Sequence, residues 1–374
     1  MKIKQINPIA IELPLQETIY TSFGKMSTRK HLIIEVATED GIFGYGEVWT
    51  NFPYYNTEDK LSLFQNYLIP LLKGFEFNTP DEVYQEMKNK ILNTGAGKQW
   101  GAYGHLKQAI SGIDMAIWDI YSKSLNKPLY QVLRNDSKPI PIKAYASGLG
   151  PNNVTRTTTN ALDKGFKMFK LKVGFSLEKD LENLQEIRKV IGDSPLFLDA
   201  NQGFQDAETA IFHLMKYSPY SFEFIEEPVL AHDFFGLKKV RDAGFKISGG
   251  ENNYSLLEFK NLHHLNCLDI YQPDIGKCGG VSTMREIVNY LEENELAFAP
   301  HMFSTIIGQT ATLHFLTAHH GLFMEVDGND NPALHSLALR TSFDFKDGIF
   351  YCNDQINGIG VDLDFDYLNK YKIN

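Results

Sequence analysis

In the second half of the chain, short runs rich in apolar residues recur at a nearly constant interval, at 169–173, 196–198, 222–225, 268–271, 296–300 and 322–324. Polar residues keep the same rhythm: Lys172, Asp199, Glu226, Glu251, Asp274, His301 and Glu325 follow one another at steps of about 23 to 27 residues. One strand, one helix and two short loops take up roughly that length, so each step is expected to be one β/α unit. Helices are expected between the strands at 153–164, 177–191, 206–217, 233–243, 255–264, 281–294 and 305–319. The first part of the chain follows another rule. Residues 3–14 and 31–49 alternate like antiparallel strands, with Glu39-Asp40-Gly41 as a hairpin turn. Residues 58–73 and 80–92 space Leu, Tyr and Ile helically, and 106–125 forms a long apolar helix. Strands followed by helices make an α+β layer, distinct from the alternation that begins near residue 140. That alternation fades after Glu325, and turns at Asp347-Gly348 and Asn357-Gly358 lead the tail back to the first domain.

In a parallel barrel the carboxyl ends of all strands meet at one mouth, so the polar series converges on one site. Asp199, Glu226 and Glu251 offer an all-oxygen ligand set, which suits a hard divalent cation such as Mg²⁺. Three strand-end carboxylates at matched intervals are not an ordinary surface pattern, because burying an unpaired charge is costly. Lys172 precedes them, and Asp274 and His301 follow. A metal flanked by two candidate bases fits removal of the proton next to a carboxylate, since the cation neutralises the charge that develops on the carboxylate oxygens. Lys170 and Lys172 are two residues apart and point the same way along a strand. Each disfavours the other's charge, so the lysine pKa is expected to fall towards the working range of a general base. Asp274, one β/α unit before His301, is expected to fix the ring's tautomer and raise its basicity. His263, His264, His314, His319 and His320 lie in helical segments and are expected to pack or face solvent.

The local motifs carry a resemblance. Lys170-Leu171-Lys172, Asp199-Ala200-Asn201, Ile225-Glu226-Glu227-Pro228, Gly249-Gly250-Glu251-Asn252, Pro273-Asp274 and Pro300-His301 stand in the order and spacing of the enolase superfamily. The His–Asp pair on the late strands resembles the mandelate racemase group within it; the muconate cycloisomerase group has a lysine where Asp274 stands, and here Lys277 is only nearby. Residues 111–119, followed by Lys127-Pro128-Leu129-Tyr130, are similar to the helix that leads into that family's barrel. The tail has Asn357-Gly358-Ile359-Gly360 where the family usually has a Pro-Gly turn.

The resemblance implies an α/β fold: a modified TIM barrel of (β/α)7β type over 126–345, under an N-terminal α+β capping domain over 1–125 that is completed by 346–374. It implies one Mg²⁺ per subunit on Asp199, Glu226 and Glu251. Glu226 is preferred to Glu227, for which a structural ion pair is expected. Lys172 is the expected base, Lys170 its support or a carboxylate-binding group, and Glu325 a partner of the substrate carboxylate. Asn201 is a candidate for binding substrate or a metal ligand. Two capping-domain loops, 18–29 and 49–56, are expected over the mouth; the second holds Trp49, Phe52, Tyr54 and Tyr55, which either contact substrate or pack between domains.

The expected reaction is α-proton abstraction from a 2-hydroxy acid or acid sugar to an enediolate. β-Elimination of water, as in an acid-sugar dehydratase, is favoured. A racemase or epimerase, a muconate cycloisomerase-like enzyme or dipeptide epimerase, and a non-catalytic enolase-like binding protein are the alternatives. A homo-oligomer is also implied. Composition changes little. The net charge of −10 argues against nucleic acid and anionic membrane as partners, and Cys267, Cys278 and Cys352 form no zinc or CxxC spacing. No continuous apolar stretch opens the chain and none is long enough to span a bilayer, so a cytoplasmic enzyme acting on a small carboxylate is expected.

Overall fold

The computed structural model describes residues 1–374 except 22–23, 52–55, 96, 330, 354 and 374, with the backbone alone described at 16, 17, 21 and 100. The chain opens with β1 (Ile3–Thr21), β2 (Gly24–Thr38) and β3 (Phe43–Val48), paired antiparallel in that order. Alternation gives this sheet two buried faces. Leu32, Ile34 and Val36 of β2 pack into the core of the capping domain, while Ile33 joins the core shared with the barrel. The cap helices are α1 (Asn56–Leu63), α2 (Ile69–Leu72), α3 (Pro80–Met87) and α4 (Trp100–Ser124), with π-helical turns at Phe64–Leu68 and Lys88–Leu92. Those widened turns interrupt the helices expected over 58–73 and 80–92. A Cβ at Gly46 would stand 1.9 Å from the Gly112 carbonyl oxygen, so β3 lies on α4 at backbone distance. A short α5 (Leu129–Leu133) leads to the barrel.

Strand and helix then alternate: β4 (Ile142–Leu149), α6 (Val154–Asp163), β5 (Phe169–Lys172), α7 (Leu177–Ile191), β6 (Leu196–Asp199), α8 (Ala207–Tyr217), β7 (Ile225–Glu226), α9 (Phe234–Asp242), β8 (Ile247–Gly249), α10 (Leu256–His264), β9 (Ile270–Tyr271), α11 (Gly280–Glu293), β10 (Ala297–Phe298), α12 (Ile306–His319) and β11 (Met324–Asp327). The strands pair parallel in chain order from β4 to β10, and β11 returns to pair parallel with β4. Among the described residues this is a (β/α)7β barrel, eight strands joined by seven helices. Ser176, Asp206, Asp233 and Ser255 start α7 to α10, each side chain accepting from the N–H three residues on, so the loops at the mouth end at set points. β8 carries no apolar run, since two of its three residues are Ser248 and Gly249. α12 is buried along its whole length, packed among β3, α5 and the barrel strands β4 and β11.

Inside the barrel Tyr145, Phe197 and Phe224 form a plug with Met168, Ile270 and Ala299. Phe197 precedes Asp199 by two residues and Phe224 precedes Glu226 by two, so alternation sets both carboxylates on the inward face above the plug.

The tail comprises α13 (Pro332–His335), β12 (Ala338–Thr341), β13 (Phe343–Lys346), β14 (Ile349–Cys352), β15 (Val361–Leu363) and α14 (Phe365–Tyr371). β13 and β14 form a hairpin that extends the barrel sheet on β4, so the domain boundary expected at 345–346 falls within a strand. The later tail reaches the cap: the Ile359 N–H donates to Asp119 Oδ1 on α4 at 2.8 Å, and the Ile373 N–H to the Ala10 carbonyl at 2.9 Å. No helix among the described residues is long and apolar enough to cross a membrane.

Candidate active site at the barrel mouth

Parallel register brings the first residues of the site together. Lys172 on β5 is paired with Asp199 on β6, and Asp199 with Glu226 on β7. Glu251 lies two residues beyond β8, Asp274 three beyond β9 and His301 three beyond β10. The strand order therefore sets the three carboxylates between Lys172 and the Asp274/His301 pair.

Lys170 is fully buried, its Nζ 2.6 Å from Glu226 Oε2, 2.7 Å from Glu325 Oε1 and 3.4 Å from Asp199 Oδ2. Burial alone would lower its pKa, but the attraction of Glu226 and Glu325 outweighs burial and holds the ammonium well above its ordinary value. The expected fall does not occur at Lys170, because anions surround it more closely than any cation. Lys172 Nζ lies 2.5 Å from Asp199 Oδ2 and 2.7 Å from Asn201 Oδ1, while the Asn201 N–H donates to Asp199 Oδ1 at 2.9 Å. Burial works against the Asp199 carboxylate, yet Lys172 and Lys170 keep it below the usual carboxylate range.

His301 lies between two acids. Its Nδ1 is 2.6 Å from Asp274 Oδ2 and its Nε2 2.5 Å from Glu251 Oε2. Burial would lower the ring, but Glu251 and Glu325, with the Asp274 hydrogen bond, hold it at about 10. The Met302 N–H donates to Glu325 Oε2 at 3.2 Å. Burial would raise Glu325, but Lys170 keeps its carboxyl low, so this group faces the mouth as an acceptor.

Glu226 Oε2 accepts from Lys170 and, at 2.6 Å, from Gln272 Nε2, whereas its Oε1 is buried without a partner among the described residues. Burial and the nearby Asp199 push this carboxyl up to about 7. One ligand atom each from Glu226, Glu251 and His301 lie within 4.8 Å of one another. Asp199 stands outside that group; its Oδ2 accepts from Lys172 and its Oδ1 from the Asn201 N–H. Three buried carboxylates and a free buried oxygen suit a hard divalent cation. Among the described residues Glu227 makes no direct ion pair of the expected kind; it accepts from the amides of Asn252 and Gln202.

Lys172, Asn201, Glu251, His301 and Glu325 line one cavity of about 150 Å³ with Trp49, Ile19 and Gln108 of the cap. The Trp49 ring is 5.9 Å from that of His301 and 4.2 Å from Lys277 Nζ, between centroids and from centroid to nitrogen respectively. Lys277 also reaches Glu251 Oε1 at 3.3 Å. Tyr54, like Phe52 and Tyr55, lies outside the described residues. In the stretch 18–29, expected as a loop, residues 18–21 and 24–29 are strand: Ile19 pairs with Met26 and Tyr20 with Lys25. Arg29, fully buried, ties it to the barrel through Asp327 at 3.1 Å and the Phe303 carbonyl at 2.7 Å. The sequence analysis missed Gln272, Gln108 and the placement of Lys277 in the cavity. Gln272 had a usable signal, since it stands two residues before Asp274; Gln108 had none.

Residues 153–367 match the family model described as enolase C-terminal domain-like, and residues 7–133 match the N-terminal domain of mandelate racemase / muconate lactonizing enzyme. The D-galactarolactone cycloisomerase of Agrobacterium fabrum is 26% identical over 392 residues, covering 100% of this chain and 99% of the relative. The crystal structure of the 3,6-anhydro-D-galactonate cycloisomerase from Zobellia galactanivorans superimposes with a TM-score of 0.87 at 31% identity, covering 100% of both chains. A racemase from Streptomyces coelicolor A3(2), solved with bound magnesium, has a TM-score of 0.87 at 25% identity over 99% of this chain and 100% of that one. Further curated relatives include racemases, epimerases and a dehydratase. With both domains matched over most of its length, the chain belongs to the mandelate racemase/muconate lactonizing enzyme family of the enolase superfamily.

Proposed function

We propose that this protein is a Mg²⁺-dependent enzyme that removes the α-proton of a sugar acid and expels an oxygen from its β-carbon. One observation carries the proposal: Lys172 and His301, the latter bonded to Asp274, line the same cavity, with Asp199, Glu226 and Glu251 between them in the strand order. Asp199, Glu226 and Glu251 would hold the cation, whose role is to neutralise the charge that develops on the substrate carboxylate. Lys172 takes the α-proton, and the electron pair of the broken C–H bond becomes the double bond of an enediolate. His301, held protonated by Glu251 and Asp274, gives its proton to the departing oxygen as the β-carbon–oxygen bond breaks. The enol that results tautomerises to a 2-keto acid. If that oxygen belongs to a free hydroxyl, water leaves and the enzyme is a dehydratase. If it closes a ring, the ring opens and the product is an isomer of the substrate. The cycloisomerases among the relatives, named for cyclic sugar acids, favour the second outcome as much as the dehydratase favours the first.

A panel of open-chain and cyclic sugar acids, incubated with the protein and Mg²⁺ in D₂O, tests the proposal. A 2-keto product lighter by one water indicates dehydration, and one of unchanged mass indicates ring opening. Exchange without a 2-keto product indicates racemisation by 1,1-proton transfer. Lys172→Ala and His301→Asn should each suppress product. Turnover surviving in both variants would refute the mechanism.

We also propose a homo-oligomer, as the family resemblance implies. Phe235 and Leu257, on the outer helices α9 and α10, are exposed at 79% and 66%. A monomer by light scattering at micromolar concentration would remove this proposal.

A further inference from the structure

We propose that Gln108 binds the substrate beyond its β-carbon, donating from Nε2 to a hydroxyl or ring oxygen, and that Lys60 is the residue that aims it. The inference rests on the proposed function, because it presumes a sugar acid in the mouth.

Lys60, on α1, is wholly buried, yet among the described residues no carboxylate is a hydrogen-bond partner of it. Its ammonium has three donors and meets three neutral oxygens: the Trp49 carbonyl at 2.6 Å, Asn56 Oδ1 at 2.6 Å and Gln108 Oε1 at 2.8 Å. The Gln108 amide turns its oxygen towards Lys60, the arrangement in which all three donors of an ammonium are used. That choice leaves Nε2 as the polar atom which Gln108 presents to the cavity. Among the described residues nothing accepts from Nε2. Gln108 is only 8% exposed and lines the cavity that also holds Lys172, Glu251 and His301.

An amide N–H that faces the cavity without a protein acceptor is available to a substrate oxygen. Gln108 comes from the cap and has no hydrogen bond to Lys172, His301 or the three carboxylates, which fits a contact with the substrate away from its reacting carbons. The same ammonium holds the Trp49 carbonyl, and Trp49 forms the adjoining wall. One positioning lysine thus sets a flat apolar wall and one donor together. A sugar acid with oxygens past the β-carbon satisfies both, and a 2-hydroxy acid that ends at the β-carbon satisfies neither.

Calorimetric titration of the full chain, in saturating Mg²⁺, separates the possibilities. The probes are lactate, which ends at the β-carbon, and a panel of six-carbon aldonates, open-chain and cyclic. The best aldonate should bind the wild type more tightly than lactate does. Gln108→Leu should weaken that aldonate about tenfold, the worth of one hydrogen bond, and leave lactate unchanged. Lys60→Met should reproduce the selective loss although it does not touch the ligand, and Lys60→Arg, which still donates to the amide oxygen, should recover part of it. Melting curves establish that each variant is folded, and Gln108→Leu decides alone if Lys60→Met does not fold. Aldonate affinity unchanged in Gln108→Leu, an equal loss for lactate, or aldonates binding no better than lactate would each overturn the inference. Neither probe binding the wild type would instead overturn the proposed function, and the inference with it.

Discussion

The Nδ1 of His301 lies 2.6 Å from Oδ2 of Asp274, and both side chains are buried. The other Asp274 oxygen accepts from the backbone N–H groups of Gly276 at 2.7 Å and Lys277 at 3.2 Å. Backbone therefore orients the carboxylate, and the carboxylate orients the ring. In Asp274→Asn those N–H groups would claim the amide oxygen and turn its NH₂ towards Nδ1. The ring would lose a proton acceptor and its charge-stabilising partner. Turnover should fall by about 10²–10⁴, the usual worth of one acid or base, while Mg²⁺ affinity by calorimetry changes little. A loss below tenfold would remove the dyad from the mechanism.

Lys170 is the cation on which two buried carboxylates depend, Glu226 at 2.6 Å and Glu325 at 2.7 Å. Lys170→Met should cost about 3–5 kcal/mol in urea unfolding, because uncompensated charge is left inside. Adding Glu226→Gln to that variant should restore part of the loss. A double variant no more stable than the single one would show that the pair contributes nothing.

Metal binding should appear in stability as well as in turnover. Mg²⁺ at a hundred times its dissociation constant should stabilise the fold by about 2.7 kcal/mol, and a chelator should reverse the gain. Glu226→Gln and Asp199→Asn should both abolish it. Identical melting curves and activity with Mg²⁺ and with chelator would defeat the assignment.

His314 is expected to impose an acid limit on stability. Its Nδ1 accepts from the Tyr130 N–H at 3.3 Å and its Nε2 donates to the Ile359 carbonyl at 3.0 Å, so a second ring proton would face a donor. Burial pushes the ring down to about 4. A histidine lowered in the fold contributes fully above its unfolded value, near 6.5, and the contribution falls as pH drops from there towards 4. The loss should amount to roughly 3 kcal/mol over that window. Unfolding free energy measured from pH 7 to pH 4 should fall less steeply in His314→Asn than in the wild type.

By itself, the order of amino acids determined the period of the barrel and the chemistry of its mouth. Both are local properties. Strand ends follow alternation, helices follow their own spacing and caps, and parallel strands in register must bring Lys172, Asp199 and Glu226 side by side. Distance-dependent properties were decided only in the tertiary structure. Lys170 holds its proton rather than losing it because Glu226 and Glu325, from other strands, approach its nitrogen within 2.7 Å, and Coulomb energy at that range exceeds the cost of burial. Residues 18–21 and 24–29 are strand because they find hydrogen-bond partners in each other, and Arg29 finds Asp327 only once the cap has docked on the barrel. Gln108 looks like any polar residue of a long helix; which face of α4 meets the mouth depends on how two separately built cores pack against each other.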